Sequence, residues 1–516
     1  MNHSTSLSID WLPLDMSAPE TANGGVRVLF ATPECAPLAK TGGLGDVSAA
    51  LPAALYGRGI DIKLLLPGYP SVLAHAAGGR ELGQVRGQVR LFPSRIEARL
   101  LESRLPSGTP LLVLDCPELY LREGGPYADA RNAAFADNAR RFALLSRVAA
   151  AIGSAESPIG WQAQVVHGND WPAGLAPAYL HFMSGPRAAS ITTIHNLAFQ
   201  GLFDPGVLSD LDLPRESYSI EGLEFHGQVS FMKAGLYYAD AITAVSTGYA
   251  AEIQTVAYGC GLHGLLQARR NVLHGIVNGI DTNEWNPLID ARLPVRYSER
   301  SLPRKRRDKE ALQRALGLAL EAGAPLAGVV SRLTHQKGSD LIAAAGDRLV
   351  GLGAQIAVLG SGDRDHEEGL RALAARHPGQ VAVRIGFDED LAHLIEAGSD
   401  LFLMPSRFEP CGMNQMYSQR YGTPPVVHAT GGLADTVVDC TPEALAEGRS
   451  SGFLFSPASA ESLVEAVKRA ISVYRDGPGW RALCRNAMRR DFSWDRAALE
   501  YERLYQRLVA DNPKAR

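Results

Sequence analysis

Three stretches combine residue types that could manage a charged, hydroxyl-rich ligand. The first is Lys40–Val47, reading Lys-Thr-Gly-Gly-Leu-Gly-Asp-Val. It follows an apolar run, Val26–Ala31, and leads into Val47–Tyr56, which has helix-forming character. Gly42, Gly43 and Gly45 would let backbone N–H groups approach an anion closely, and a following helix N-terminus adds partial positive charge. Lys40 adds a full charge at the mouth, and Asp46 a carboxylate. The loop is neither a GxGxxG nor a Walker sequence, because no Gly-Lys-Ser/Thr closes it. A tight strand-to-helix turn is the alternative reading. The second stretch, Ser331–Gly338, follows the apolar run Leu326–Val330. Arg332 and Lys337 lie five apart there. A guanidinium for bidentate contact and an ammonium as a point charge suit a pyrophosphate. The third, Pro405–Gly412, holds Glu409 between Phe408 and Pro410, just before Cys411 and Gly412. A carboxylate in such a place can hold sugar hydroxyls.

Further candidates sit after other apolar runs. Thr430, Gly431 and Gly432 follow His428 and offer more backbone N–H groups. In the first half, His167–Trp171 includes Asp170, and His195–Gly201 opens on a second histidine. A single histidine at a strand end is ordinarily structural, but two such segments beside a phosphate-type loop point to function. Asn278, in Ile276–Asp281, either reaches a ligand or forms a turn with Gly279. No DxD-type carboxylate pair stands beside the phosphate segments, so neither a metal nor a cofactor is expected.

These residues must be held by a parallel sheet. Short apolar runs at Val26–Ala31, Ile62–Leu66, Leu111–Asp115, Val165–His167, Ala189–Ile194 and Ala241–Val245 alternate with helical stretches such as Phe135–Ile152 and Ala173–Phe182. This is the rhythm of an α/β fold covered on both faces. Gly83–Arg104 alternates differently and reads as antiparallel strands. The rhythm stops at Asn286–Arg307 and restarts with Leu326–Val330, Gln355–Leu359, Val381–Ile385, Leu401–Met404 and Val426–His428. Helices fit at Ser339–Val350, His366–Ala375, Leu391–Ala397 and Asn414–Arg420. Two Rossmann-like domains facing across a cleft follow, with ligands at the strand C-terminal ends. The expected division is an arm at 1–25, domains at 26–275 and 276–492, and a helix at 493–516 that returns to the first domain. Trp494, Ala498, Tyr501, Leu504, Tyr505 and Leu508 give that helix one apolar face.

The 516 residues exceed one ordinary domain, and a net charge of −4 disfavours a nucleic-acid partner. The basic run Arg304–Arg307 reads as a solvated helix start. Six cysteines without CxxC spacing suggest neither a disulfide framework nor a zinc site. The first 24 residues resemble no signal or transit peptide, and no apolar run reaches membrane-spanning length. A cytoplasmic location with no membrane partner is the expectation.

Taken in order, these segments resemble the bacterial glycogen synthases and plant starch synthases, GT-B type retaining glycosyltransferases that use ADP-glucose. The resemblance runs from about Val26 to Leu508. It rests on residues 40–47, Thr-Ile-His-Asn-Leu-Ala-Phe-Gln-Gly at 193–201, Phe-Met-Lys-Ala-Gly-Leu at 231–236 and Asn-Gly-Ile-Asp at 278–281. Residues 331–338, 406–412, 430–437 and Asp-Phe-Ser-Trp at 491–494 extend it. It implies transfer of glucose from ADP-glucose to the non-reducing end of an α-1,4-glucan, with retention. A UDP-glucose transferase of the same fold and a non-catalytic glucan-binding protein are the alternatives. Lys40 and the glycine loop would contact donor phosphates or glucose. Asp46 and Asp170 would line the sugar pocket, and His195 would approach the transferred glucose. Asn278 would orient substrate, Arg332 and Lys337 would hold the pyrophosphate, and Glu409 would bind glucose hydroxyls beside Cys411 and Gly412. Tyr120 aligns with a cleft tyrosine of the family. Tyr417 stands where many wider relatives carry a second glutamate, and Asn414 where bacterial relatives usually have threonine. Phe387 falls where relatives often stack a tyrosine on adenine, keeping the ring and losing the hydroxyl.

Overall fold

The computed structural model describes residues 25–78, 88–91, 96–155 and 157–512. The expected N-terminal arm lies outside them except for residue 25. The chain divides into two compact units. The first holds the described residues up to Val245, then Ala250–Ile276 and the stretch from Trp494 onward; the second holds Ser246–Tyr249 and Val277–Ser493.

The first unit contains β1 (Arg27–Ala31), β2 (Asp61–Pro67), β3 (Gln88–Leu91), β4 (Ile96–Arg104), β5 (Pro110–Asp115), β6 (Val165–Asn169) and β7 (Ala189–Ile194). The short strands β8 (Leu202–Phe203), β9 (Glu224–Phe225) and β10 (Gln228–Ser230) form a separate small sheet. They are followed by β11 (Ala241–Ala244) and β12 (Leu273–Gly275). Among the described residues the main sheet runs β12-β11-β7-β6-β1-β2-β5-β4-β3. Its pairings are parallel from β12 to β5, while β4 pairs antiparallel with both β5 and β3. The patterning follows this topology. Strand β6 is buried along its length, as a strand covered on both faces must be. In β4 only Ile96, Ala98 and Leu100 alternate inward over its first half. The described part of 83–104 is thus antiparallel, as its alternation implies.

Helix Trp494–Asp511 completes this unit. Trp494, Ala497, Ala498, Tyr501, Leu504 and Tyr505 join the core that includes Phe30, Leu51, Val148 and Val166. Burying the larger of these side chains contributes roughly 1.5–3 kcal/mol each. His167 is fully buried, with Nδ1 2.8 Å from the Tyr505 hydroxyl and Nε2 2.5 Å from Thr193 Oγ1. It serves as a tie between sheet and helix.

The second unit holds β13 (Leu326–Val330), β14 (Gln355–Gly360), β15 (Val381–Ile385), β16 (Leu401–Met404), β17 (Pro425–His428) and β18 (Phe453–Phe455). The order is β15-β14-β13-β16-β17-β18, and every pairing is parallel. The basic run before it starts a helix with Arg304, Arg306 and Arg307 exposed, as expected, but one member departs from expectation. Lys305 is buried: its ammonium donates to Thr423 Oγ1 at 2.7 Å and to the carbonyls of Glu396 and Ala397. Burial holds its pKa down at about 8.

In open α/β sheets the crevice for a ligand forms where strand order reverses, at the C-terminal ends of the two strands flanking the reversal. In the first unit these are β1 and β6; in the second they are β13 and β16. The glycine loop follows β1 and Asp170 follows β6. The Arg332–Lys337 loop follows β13 and Glu409 follows β16.

Candidate active site

At the first unit's reversal, the helix after β1 is Gly43–Gly57 with Gly42 as its N-cap, so Gly43 and Gly45 lie in its first turn rather than ahead of it. Glu34 changes how the loop reads. Its Oε2 accepts the N–H groups of Thr41 (2.6 Å) and Gly42 (3.1 Å), and its Oε1 accepts the Tyr127 hydroxyl at 2.6 Å. Burial raises this carboxyl above its ordinary pKa against those hydrogen bonds. Of the glycine N–H groups expected to face an anion, that of Gly42 is therefore already taken, and that of Gly45 donates to the Gly42 carbonyl. The first-turn N–H groups of Gly43 and Leu44 remain to meet a ligand. Lys40 Nζ lies 2.7 Å from Asp46 Oδ1, with both side chains partly exposed. A Cβ on Gly45 would sit 3.1 Å from Lys40 Cγ, so the small residue lets the lysine lie across the helix start.

Asp170 has φ 57° and ψ −173°. That conformation is nearly confined to glycine and costs roughly 1–3 kcal/mol, and such strain gathers at functional sites. Its Oδ1 accepts the His195 N–H at 3.4 Å. Burial drives its pKa up to about 8, against the pull of the His195 and Asn196 N–H groups. Burial also lowers His195 to about 3, so the ring is neutral near pH 7. Asn169 fixes its tautomer. The Asn169 amide nitrogen donates to the Ala31 carbonyl at 3.1 Å, leaving Oδ1 to accept from His195 Nε2 at 3.0 Å. His195 Nδ1 is then the acceptor. Tyr120 does not meet expectation. It is fully buried beside Tyr69 and Arg141, and its hydroxyl donates to the Arg141 carbonyl at 2.6 Å, so it presents nothing to a ligand.

At the second unit's reversal, Lys337 Nζ donates to Glu409 Oε2 at 2.6 Å, and Ser406 Oγ donates to the same oxygen at 3.1 Å. Glu409 is almost fully buried and Lys337 mostly so. Arg332 is exposed and has no carboxylate partner among the described residues. Gly338 has φ 71°, and a Cβ there would lie 2.3 Å from the Pro405 carbonyl oxygen, so only glycine allows this approach. Arg407 braces the loop. It forms a bidentate pair with Asp340 at 2.8 and 2.7 Å, donates to the His335 carbonyl at 2.6 Å, and gives its own N–H to Gln336.

The remaining candidates surround this centre unequally. The Gly432 N–H donates to the Glu409 carbonyl, and the Leu433 N–H to Thr430, so this segment's donors are largely used in holding the loop. A Cβ on Gly432 would fall 2.2 Å from the Cys411 carbonyl oxygen. Thr430 and Cys411 are buried, and burial pushes the Cys411 thiol up to about 12, so it is no nucleophile. Gly412 has φ 71°, and its carbonyl and that of Cys411 accept from Gln415. Asn278 is buried, and its Oδ1 has no hydrogen-bond partner among the described residues. Phe387 stands 84% exposed on the loop after β15, presenting an open ring face.

Glu34, Asn169 and the Arg407–Asp340 pair were not anticipated from sequence. The acidic residue just past β1 and the arginine two places before Glu409 were the available signals.

Comparison with known proteins agrees with this geometry. A family model described as the starch synthase catalytic domain matches residues 27–268, and one described as glycosyl transferases group 1 matches 317–477. The glycogen synthase of Aromatoleum aromaticum is 56% identical over 480 residues, covering 93% of this chain and 96% of that protein. That of Nitrosospira multiformis is 52% identical over 486 residues, covering 93% and 97%. Among solved structures, the catalytic domain of starch synthase IV from Arabidopsis thaliana, bound to ADP and acarbose, aligns with a TM-score of 0.80. It is 31% identical and covers 94% of this chain and 100% of that one. Two Rossmann-like lobes with these matches define a glycosyltransferase of the GT-B type. Within that class, the chain belongs to the bacterial glycogen synthase family. No described helix is long and apolar enough to cross a membrane.

Proposed function

We infer that this chain elongates an α-1,4-glucan, transferring glucose from ADP-glucose to the non-reducing end and releasing ADP, with retention at the anomeric carbon. The observation that carries the reading is the pair of loops at the β13/β16 reversal. There an exposed Arg332, with no carboxylate partner among the described residues, shares a loop with Lys337 of the buried Lys337–Glu409 pair. A fixed cation surplus of this kind suits a diphosphate whose charge grows as the glycosidic bond breaks. Arg332 holds the diphosphate in the ground state, and Lys337 meets the charge that develops. Glu409 keeps one oxygen on Lys337 and offers the other to glucose hydroxyls. Exposed Phe387 supplies a stacking face for the base, and Asn278 orients the sugar.

In the first unit, neutral His195 accepts a hydrogen bond from a glucose hydroxyl through Nδ1. Asp170 is protonated below about pH 8 and can donate to the sugar. Lys40, Asp46 and the Gly42–Gly43 turn line the same face. No carboxylate is assigned as a covalent nucleophile. The acceptor 4-OH attacks from the face the phosphate leaves, and the departing phosphate takes its proton. We place the protein in the cytoplasm, a reading supported by six cysteines that form no disulfide. The test is incubation with radiolabelled ADP-glucose or UDP-glucose and glycogen, followed by counting the polymer. Label from ADP-glucose is expected; label from UDP-glucose alone would overturn the donor assignment.

A further inference from the structure

A second cluster of chemically able side chains lies in the second unit, outside the loops described above. Glu284, Glu389 and His393 each point one ligand atom to a common spot, all within 4.8 Å of one another. Glu284 is exposed, on a turn where Asp281 Oδ1 accepts the N–H groups of Asn283 (2.8 Å) and Glu284 (3.3 Å). Glu389 opens helix Glu389–Gly398, and His393 lies one turn further along. His393 is fully buried, and its ring is held from every side. Trp285 stacks on it at 3.9 Å and 15°, with Tyr417 on the far face of the indole at 3.8 Å. Its Nδ1 donates to Asp290 Oδ2 at 2.8 Å, and that oxygen also accepts the Tyr421 hydroxyl at 2.6 Å.

This leaves Nε2 buried without a hydrogen-bond partner among the described residues, 3.6 Å from Glu389 Oε1. A lone pair facing two carboxylates is repulsive unless a cation sits among them. A proton on Nε2 is one solution, but charge-assisted N–H···O bonds close to roughly 2.7–2.9 Å. The observed separation instead matches two ligands of one ion. Atoms about 2.0–2.2 Å from a tetrahedral centre lie roughly 3.3–3.6 Å apart. The carboxylate on Nδ1 is also the usual companion of a metal-bound histidine, fixing tautomer and ring direction.

We propose that Glu284, Glu389 and His393 bind a divalent transition-metal ion of the zinc type, with water completing the coordination and Asp290 orienting the histidine. One imidazole nitrogen and two carboxylate oxygens suit such an ion better than calcium or magnesium, which prefer oxygen alone. The ion takes no part in glucosyl transfer. It pins the first turn of helix Glu389–Gly398 to the 281–285 turn, just beyond the loop that carries Phe387.

The experiment uses the full chain, stripped with a chelator and dialysed against Zn²⁺, with Co²⁺ as an optical probe. About one tightly held equivalent is expected, with a Co²⁺ ligand-field band, because a preformed site binds metal without a folding cost. Glu284→Gln and Glu389→Gln should each weaken Zn²⁺ binding roughly tenfold or more and diminish the band. Both leave the His393 core intact, and circular dichroism verifies the fold. Absence of stoichiometric binding would overturn the site. Binding that survives both substitutions would do the same, by locating the ion on other histidines or cysteines.

Discussion

Each unit places a lysine-bearing loop after one strand flanking its sheet reversal and a second polar segment after the other. The two loops differ in how far their charges are already committed. In the first unit Glu34 occupies the N–H groups of Thr41 and Gly42, Asp46 pairs with Lys40, Asp170 is neutral below about pH 8 and His195 is uncharged. The result is a nearly neutral hydrogen-bonding surface, fit for hydroxyls. In the second unit Glu409 pairs with Lys337 alone, Arg332 meets no carboxylate among the described residues, and the other arginine, Arg407, is spent on Asp340. The surplus positive charge favours phosphate. A lysine with glycines does not by itself mark an anion site; what matters is which internal carboxylate reaches it first.

The contrast breaks most visibly at the two lysines. Lys337→Ala should lower kcat by about 10²–10³-fold with a smaller rise in KM for ADP-glucose, as loss of one preorganised electrostatic donor does. Lys40→Ala should cost less, up to roughly fivefold, because an exposed pair contributes at most about 1 kcal/mol. Steady-state kinetics at saturating glycogen, with circular dichroism as a fold control, decides it. Equal losses would mean that both loops carry the same charge work.

Asp170 sharpens the comparison through pH. Between about pH 4 and 8 the folded chain holds a proton on Asp170 that the unfolded chain has released. The contribution of Asp170 to stability should therefore be full below pH 4, fall between pH 4 and 8 by up to about 1.4 kcal/mol per pH unit, and be gone above 8. Urea unfolding across that range should show a flatter dependence in Asp170→Asn. An unchanged slope would mean that Asp170 is ionised in the fold and that the first unit's surface is anionic.

Phe387→Ala should weaken donor binding by about 1–3 kcal/mol if a base stack is lost, while Phe387→Tyr stays near the parent. A KM for ADP-glucose that does not move would locate the base elsewhere. The smallest effect belongs to Tyr120→Phe. With its hydroxyl on the Arg141 carbonyl, its removal should reduce stability by about 1 kcal/mol and leave kcat within roughly twofold. A large kcat loss at unchanged stability would give Tyr120 a place at the substrate after all.

How much of this was readable from the chain divides along physical lines. Long apolar runs bounded by glycine and proline located most strands of the two main sheets. Ala189–Ile194, Leu326–Val330, Val381–Ile385 and Leu401–Met404 were anticipated to the residue. Strands β12 and β18 and the small sheet were not, because two or three residues carry no periodicity. The cations and glycines of the site were visible because local spacing expresses what they do. What Glu34, Asn169 and Arg407 hold was not, since each acts on atoms brought near only by folding. The burial of Lys305 is hidden for the same reason: its carbonyl partners lie at the C-terminal end of helix Glu389–Gly398, distant in sequence. The Glu284, Glu389 and His393 cluster is likewise half hidden: Glu389 and His393 stand four apart on one helix, but Glu284 is brought to them from a distant turn only by folding.

The return of helix Trp494–Asp511 to the first unit has a consequence for synthesis. That unit's sheet is translated by residue 276, yet Phe30, Val166 and His167 lack their covering aromatics until residues 494–511 are made. At ordinary ribosomal speeds of about 5–20 residues per second, the nascent sheet waits roughly 10–40 s with one face uncovered. The second unit, contiguous apart from four residues, can close its own core in that interval. The half of the protein that is begun first is thus the half that is finished last.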